Sequence, residues 1–176
     1  MHDVLIIGAG PAGLAAALFA TQKKLKTLVI AKDFSDGIKL DVADLTDYAK
    51  LKKIFKTELK NKPETLEFIS GEEVLSLEKN VISFSAETKT GRIFYGKSII
   101  ICSGSEQNGK NGNTVFDLLT LKNSSGFVKV DGKMAANVPG IFAAGQVTDA
   151  NCYDEFVSMG EGARAALSAW FWIKKR

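Results

Sequence analysis

A glycine-rich turn near the start of the chain is the stretch whose residue types and spacing best suit binding chemistry. Residues 8–13 read Gly-Ala-Gly-Pro-Ala-Gly and directly follow the apolar run 4–7. Gly8 permits a tight turn, Gly10 lets the backbone approach a diphosphate, and Gly13 lets the next helix pack closely on the strand. The helix N-terminus offers N–H groups and partial positive charge to phosphate oxygens. The spacing predicts a dinucleotide site formed by Gly8, Gly10, Pro11, Ala12 and Gly13, and a tight turn without a ligand is the alternative.

An acidic residue that binds the adenosine ribose is expected where the second strand ends. That strand is predicted over residues 27–30, and Ala31 and Lys32 follow it, so the usual position has no acid. Asp33 or Asp36 could reach the ribose instead. Either could equally be a solvated loop carboxylate.

Cysteine and histidine offer little for catalysis. Cys152 comes just before the last predicted helix, whose N-terminus would stabilise a thiolate, so it is a weak catalytic candidate; an incidental cysteine is the alternative. Cys102 ends a buried strand and is expected to pack in the core. His2 is the only histidine, which makes a Ser–His or Cys–His system improbable. No spacing typical of metal ligands occurs.

The elements that must position these residues follow an α/β pattern. A strand, a glycine turn, a helix and a second strand occur within about 30 residues, which predicts a right-handed βαβ unit. From residue 67 to 95 the apolar pattern has period two and predicts short antiparallel strands. The other predicted elements are an amphipathic helix over 48–60, buried strands over 98–102 and 140–145, a strand over 127–131, a polar loop over 106–114 and a closing helix over 155–173.

Composition limits the class of protein. The chain has 176 residues, 45% of them apolar and 24% charged, which predicts one globular domain. The net charge of +3 is too weak to argue for nucleic acid. No apolar run is long enough for a membrane span and no signal peptide is evident, so we expect a cytoplasmic protein. Residues 170–173 are aromatic and apolar and precede three basic residues; packing on the sheet is favoured over a membrane or dimer contact.

Three separated motifs resemble the FAD-binding domain of thioredoxin-reductase-like, pyridine nucleotide-disulfide flavoproteins. The first is the turn at 4–13. The second, residues 96–105, resembles that family's strand ending in Thr-Gly, with serine in place of threonine. The third is the pair of stretches 126–131 and 138–149, followed by Gly-Glu-Gly-Ala at 160–163.

The resemblance implies a Rossmann-like three-layer domain with a parallel central sheet and an antiparallel β-meander, and FAD as cofactor. It implies that the backbone at Val74 meets the adenine and that Gly145 and Gln146 bind the flavin polyol. Lys39 would lie near the flavin, although a solvated lysine is the alternative. The remaining residues implied to bind the cofactor are Ser103, Gly104, Tyr153 and Asp154.

Departures from the family pattern shape the functional hypothesis. The family inserts an NADPH-binding domain with a redox C-x-x-C, but only about 20 residues separate Ser105 from Gly126, far below the ~100 that a domain needs. Gln146 replaces the family's aspartate, and the stretches around the flavin ring are eroded. We therefore expect a single FAD domain over 1–176, without self-sufficient thioredoxin reductase activity.

Such a protein would exchange electrons with an external partner. That partner would be a redox protein or an NAD(P)H-binding chain, and we expect a homodimer. Two alternatives stay open. One is a non-catalytic module that binds FAD, ADP or NAD(P), and the other is the FAD half of a split reductase.

Overall fold

The computed structural model describes residues 1–32, 64–104, 127–149 and 154–176. The acidic stretch 33–47, the helix predicted over 48–60 and the loop predicted over 106–114 lie outside these ranges. In the described residues the elements are β1 (His2–Ile7), α1 (Pro11–Gln22), β2 (Thr27–Ala31), β3 (Leu66–Ser70), β4 (Val74–Lys79), β5 (Phe84–Thr88), β6 (Ile93–Ile101), β7 (Ile141–Ala143) and α2 (Glu155–Lys174).

A parallel sheet forms the centre of the fold, with strand order β3-β2-β1-β6-β7. The runs 4–7, 28–30 and 99–101 are buried. Strands covered on both faces read as continuous apolar runs, which explains why these segments lack polar alternation. Because β1 pairs with both β2 and β6, the glycine turn leaves from the middle of the sheet.

A β-meander extends from the same sheet. The first half of β6 pairs antiparallel with β5, β5 pairs antiparallel with β4, and the second half of β6 pairs parallel with β7. Gly96 lies in the middle of β6, where a Cβ would come within 2.7 Å of the Leu5 side chain. The absence of a side chain there lets β6 run continuously beside β1.

Two helices cover one face of the sheet and the meander covers the other. Ala16, Ala17, Ala165 and Ala166 belong to the buried cluster on the helical face. Val74, Leu77 and Phe84 belong to the cluster on the meander face. The three-layer Rossmann-like fold with a parallel sheet and a β-meander is therefore confirmed.

The strands predicted between residues 67 and 102 differ from the structure in three ways. Segments 92–95 and 98–102 form the single strand β6, since it changes partner from β5 to β7 without a break. The strand predicted over 81–85 begins only at Phe84, and Val81 and Ile82 are exposed in the preceding turn. In the period-two region, β3 pairs parallel with β2 rather than antiparallel with a neighbour.

The strand predicted over 127–131 is reduced to one bridge, between Val128 and Thr148. The Asp131 carboxylate accepts hydrogen bonds from the backbone N–H groups of Lys133 and Ala135, at 2.8 and 2.9 Å. These bonds turn the chain, so the alternating pattern cannot continue as a strand.

The closing helix agrees with its prediction. Trp170, Trp172 and Ile173 pack against the helical-face cluster, so packing on the sheet is confirmed, while Phe171 is half exposed. In the part of the chain that the structure describes, no helix is both long and apolar enough to cross a membrane.

Candidate functional site

The predicted binding residues lie on loops that leave the carboxyl ends of neighbouring strands. Backbone hydrogen bonds continue the sheet into these loops: Gly8 N donates to Ile30 O at 2.8 Å, and Cys102 N donates to Ile7 O at 2.7 Å. Ala144 N donates to Ile101 O at 2.9 Å. The loops after β1, β6 and β7 therefore start from one edge of the sheet, where open α/β sheets bind ligands.

The three glycines of the first turn have two different roles. A Cβ on Gly8 would lie 2.3 Å from Cys102 O, and a Cβ on Gly13 would lie 2.1 Å from Gly8 O. Gly8 also has a φ of +104°, which favours glycine. Gly10 differs, because a Cβ there would meet nothing within 4 Å. Gly8 and Gly13 are thus required for packing, whereas Gly10 faces open space.

The N-terminus of α1 has donors available for an anion. Gly10 is the N-cap residue and provides no side-chain cap, Pro11 is in the first turn, and that turn contains no acidic residue. The first intrahelical bond runs from Leu14 N to Gly10 O at 2.9 Å. The N–H groups of Ala12 and Gly13 have no intrahelical acceptor, since they lie in the first turn.

The candidate site has two arms: the glycine turn at 8–13 is the first, and the turn at 144–146, predicted to bind the flavin polyol, is the second. The second arm contacts the N-terminal end of α1. Gly145 has a φ of +79°, and a Cβ there would lie 3.1 Å from Ala12 Cβ. Gln146 follows in the same turn and is partly buried. The structure therefore brings the glycine turn and the 144–146 turn together. The two segments predicted to bind the diphosphate and the polyol are therefore neighbours in the fold.

The loop after β6 adds a polar atom without a partner. Ser103 Oγ is buried and has no hydrogen-bond partner among the described residues. Gly104 follows with a φ of +73° and open space around its Cβ position. A buried hydroxyl normally has a partner, so this one is suited to a ligand's polar group.

The segment before Val74 lies at the carboxyl end of β2. Glu72 N donates to Ala31 O at 3.2 Å, and Val74 is buried at the start of β4. The Glu72 carboxylate accepts hydrogen bonds from Thr90 Oγ1 at 2.8 and 2.7 Å, and an ion pair of 3.3 Å joins it to Arg92. The bonds from Thr90 and Thr88, with the Arg92 charge, lower the pKa of Glu72. This network fixes the segment that leads into Val74.

Glu161 is a residue of this region to which the sequence analysis gave no role. Its Oε2 accepts a hydrogen bond from Gly145 N at 2.7 Å. The next residue, Gly162, allows α2 to touch α1, since a Cβ there would lie 2.0 Å from Ala12 O. The Gly-Glu-Gly stretch was part of the family resemblance, but only the folded chain shows that the carboxylate holds the 144–146 turn.

Cys102 is confirmed as a core residue. Burial raises the pKa of its thiol, and the nearby Glu161 charge raises it further. A thiol that stays protonated is a poor nucleophile. Cys102 therefore contributes packing beside Gly8 and Gly13.

Asp154 is the N-cap of α2. Its Oδ1 accepts a hydrogen bond from Val157 N at 3.0 Å. This explains why the helix begins at Glu155, and it uses one oxygen of a carboxylate that the family resemblance assigns to the cofactor. Five other predicted site residues lie outside the described residues: Asp33, Asp36, Lys39, Cys152 and Tyr153.

Known proteins share both the sequence pattern and the fold. The family model described as pyridine nucleotide-disulphide oxidoreductase matches residues 2–112 and 42–168. The chain belongs to this family. One component of the alkyl hydroperoxide reductase of Staphylococcus epidermidis is 31% identical over 174 residues, covering 97% of this chain and 31% of that protein. Listeria innocua thioredoxin reductase is 31% identical over 115 residues, covering 60% of this chain and 34% of that protein.

Solved structures share the fold at low identity. Lactococcus lactis thioredoxin reductase aligns with a TM-score of 0.84 and 16% identity, over 100% of this chain and 100% of that chain. A ferredoxin-flavin thioredoxin reductase from Clostridium acetobutylicum aligns with a TM-score of 0.79 and 18% identity, over 99% of each chain. The chain spans about a third of the length of the two curated relatives above.

Proposed function

We propose that this chain binds FAD and acts as a flavin-dependent oxidoreductase domain that exchanges electrons with an external partner. The observation that carries the proposal is the contact between the two arms of the site. Gly145 lies against Ala12, in the first turn of α1, and Gly10 at the start of that helix faces open space. One dinucleotide could therefore contact both arms.

The charge pattern of the first arm suits a diphosphate. The first turn of α1 has no side-chain cap and no acidic residue, so its N–H groups and partial positive charge are available to phosphate oxygens. A side chain at position 10 would occupy the space that a phosphate needs. This supports Ala12 and Gly13 as N–H donors to the diphosphate, with Gly10 and Pro11 lining the space beside it.

The second arm suits a neutral polyol. The Gln146 amide both donates and accepts hydrogen bonds, as hydroxyl groups require. Glu161 already uses the N–H of Gly145, so that group is not free for the cofactor. Ser103 Oγ is the buried polar atom that a bound cofactor would satisfy.

FAD, when bound, supplies redox chemistry that amino-acid side chains lack. The 176 residues contain no C-x-x-C, and the segment between β6 and Val128 is too short for a nicotinamide domain. We therefore assign the electron donor to a separate redox protein or an NAD(P)H-binding chain. The ferredoxin-flavin name of the Clostridium protein, which shares the fold, fits a protein donor. Homodimer formation and the roles of Lys39 and Tyr153 remain part of this proposal.

Matched glycine substitutions test the cofactor site. Gly10 and Gly132 both lack a positive φ, and a Cβ at either position meets nothing within 4 Å. Both Gly→Ala variants should fold normally. By isothermal titration calorimetry, Gly10→Ala should weaken FAD binding by roughly 5- to 150-fold, the equivalent of forcing a methyl group into a packed contact. Gly132→Ala should leave FAD affinity unchanged.

Two results would contradict the proposal. Equal FAD affinity in Gly10→Ala and wild type would show that the diphosphate lies elsewhere. Equal affinity of the wild type for ADP and FAD would show that the polyol and ring contribute nothing, which favours a non-catalytic nucleotide module. The donor assignment is tested separately: NADPH alone should not bleach the flavin absorbance, and steady turnover with free NADPH would refute it.

A further inference from the structure

A second concave site lies at the opposite end of the sheet from the glycine turn. It has a volume of about 570 Å³ and lies beside the start of β1 and the carboxyl ends of both helices. Its lining includes four lysines, one acidic residue and an apolar wall. The residues that matter here are Asp3, Lys23, Lys24, Lys97, Trp170 and Lys174.

Lys23 is held over two aromatic rings. Its Nζ lies 5.4 Å from the centre of the Phe19 ring and 5.3 Å from the Trp170 ring. Cation–π contacts at these distances restrict a side chain that would otherwise be mobile. The ammonium group is therefore positioned at the wall of the pocket before any ligand arrives.

Lys24 occupies a backbone position that favours glycine. Its φ is +59°, in the left-handed region. Lys24 N donates to Thr21 O at 2.9 Å, and Leu25 N donates to Ala20 O at 3.0 Å. These two bonds form the Schellman motif that ends α1, whose left-handed residue is most often glycine. A side chain at this position therefore costs more conformational energy than glycine would.

The pocket carries an excess of positive charge. Lys97 Nζ is paired with Asp3 Oδ1 at 2.7 Å, so these two charges compensate each other. Lys23, Lys24 and Lys174 have no ion pair within the described ranges 1–32, 64–104, 127–149 and 154–176. Lys23, Lys24 and Lys174 lie at the C-terminal ends of the two helices, whose partial negative charge they face. Three ammonium groups without an ion pair among the described residues, gathered around one concavity, suit an anion with several charges.

We propose that this pocket binds a phosphorylated small molecule. The concavity is open to solvent over much of its surface, so a ligand held there would rest against the lysines and the apolar wall rather than be enclosed. Trp170 and Ile173 would contact the apolar part of the ligand, while the three lysines contact its phosphate groups. The pocket shares no lining residue with the proposed FAD site, so the proposal does not depend on the proposed function.

Calorimetric titration of the full chain with inorganic tripolyphosphate tests the proposal. Each of Lys24→Gly and Lys174→Gln should weaken binding by about fivefold, the Coulomb effect of one nearby charge near water. Lys24→Gly also relieves the left-handed strain, so its thermal midpoint should equal or exceed that of the wild type. Lys89→Gln is the matched control, because Lys89 is an exposed lysine outside the pocket. It should leave affinity unchanged.

Specific outcomes would overturn the proposal. An absence of binding heat at millimolar tripolyphosphate would overturn it. So would a loss of affinity in Lys89→Gln equal to that in Lys24→Gly, which would indicate general charge attraction. Binding that Gly10→Ala abolishes but Lys24→Gly leaves intact would place the anion at the glycine turn instead. A lower thermal midpoint for Lys24→Gly with unchanged affinity would show that Lys24 only stabilises the helix end. Binding of acidic peptides without tripolyphosphate binding would reject a small-molecule site.

Discussion

A single methyl group in the last helix tests how the two helices hold the site. Gly160 and Gly162 both lie within α2, so Gly→Ala gains helix propensity at either position. A Cβ at Gly160 meets nothing within 4 Å, whereas one at Gly162 would lie 2.0 Å from Ala12 O and 2.8 Å from Ala12 C. The same substitution should therefore have opposite effects two residues apart.

The size of the effect follows from the distances. Because contacts below 3.4 Å are tight, relief at Gly162 requires α2 to move about 1.4 Å away from backbone atoms that cannot rotate aside. A gap of about 0.5–1 Å already forfeits a quarter to half of the dispersion energy of the atoms involved, and this displacement is larger. Overpacking of this kind costs about 1–3 kcal/mol, sometimes more, and the propensity gain offsets up to about 1 kcal/mol. We expect Gly162→Ala to lower the free energy of unfolding by about 2 kcal/mol.

Urea denaturation followed by circular dichroism measures both variants. Gly160→Ala should raise the free energy of unfolding by about 0.5–1 kcal/mol. Gly162→Ala should also weaken FAD binding, since the clash displaces Ala12 in the first turn of α1. Equal stability of the two variants would refute the close contact between the helices. A stable Gly162→Ala protein with lost FAD binding would show that the residue contacts the cofactor rather than the helix.

Three further predictions concern named polar groups. Asp154→Ala removes the N-cap of α2 and should lower the free energy of unfolding by about 1 kcal/mol in urea; an unchanged midpoint would refute the cap. The lowered pKa of Glu72 means that its bonds stabilise the fold above the ordinary value of 4.5 and that this stabilisation is lost as pH falls through the lowered pKa. Thr90→Val should thus be destabilised at pH 7 and approach the wild type in strong acid, whereas a pH-independent difference would contradict the network. Cys102 should resist iodoacetamide in the native protein at pH 8 and react in urea, as mass spectrometry would show, because burial raises the pKa of its thiol; rapid native labelling would contradict this.

The sequence predicts the central sheet better than its margins. Residues 4–7, 28–30 and 99–101 are apolar and mostly β-branched, and strands buried on both faces leave few alternatives for such runs. The start of the strand predicted over residues 81–85 is wrong because alternation of apolar residues does not show where the preceding turn ends. Val81 and Ile82 are apolar but exposed in that turn. The strand predicted over residues 127–131 does not form because the Asp131 carboxylate binds the backbone N–H groups of Lys133 and Ala135 and turns the chain.

The geometry of the candidate site could be predicted from the sequence where a position requires one particular residue type. Glycine at positions 8, 13 and 145 indicates a left-handed backbone or a close contact, and glycine at position 10 indicates open space for a ligand. Glu161 was not predictable, since its bond to Gly145 N joins residues that meet only after α2 packs on α1. The second concave site could not be predicted from the sequence either, because the fold brings together Lys23, Lys97 and Lys174, which are far apart in the chain.

The flavin content of the purified chain tests the central claim most directly. After incubation with excess FAD and removal of free cofactor, the visible absorbance of bound flavin divided by protein concentration gives the stoichiometry. The account predicts one FAD per chain, with less in Gly10→Ala and the wild-type amount in Gly132→Ala. A colourless protein after this treatment would contradict the assignment of the glycine turn and the 144–146 turn to one bound FAD.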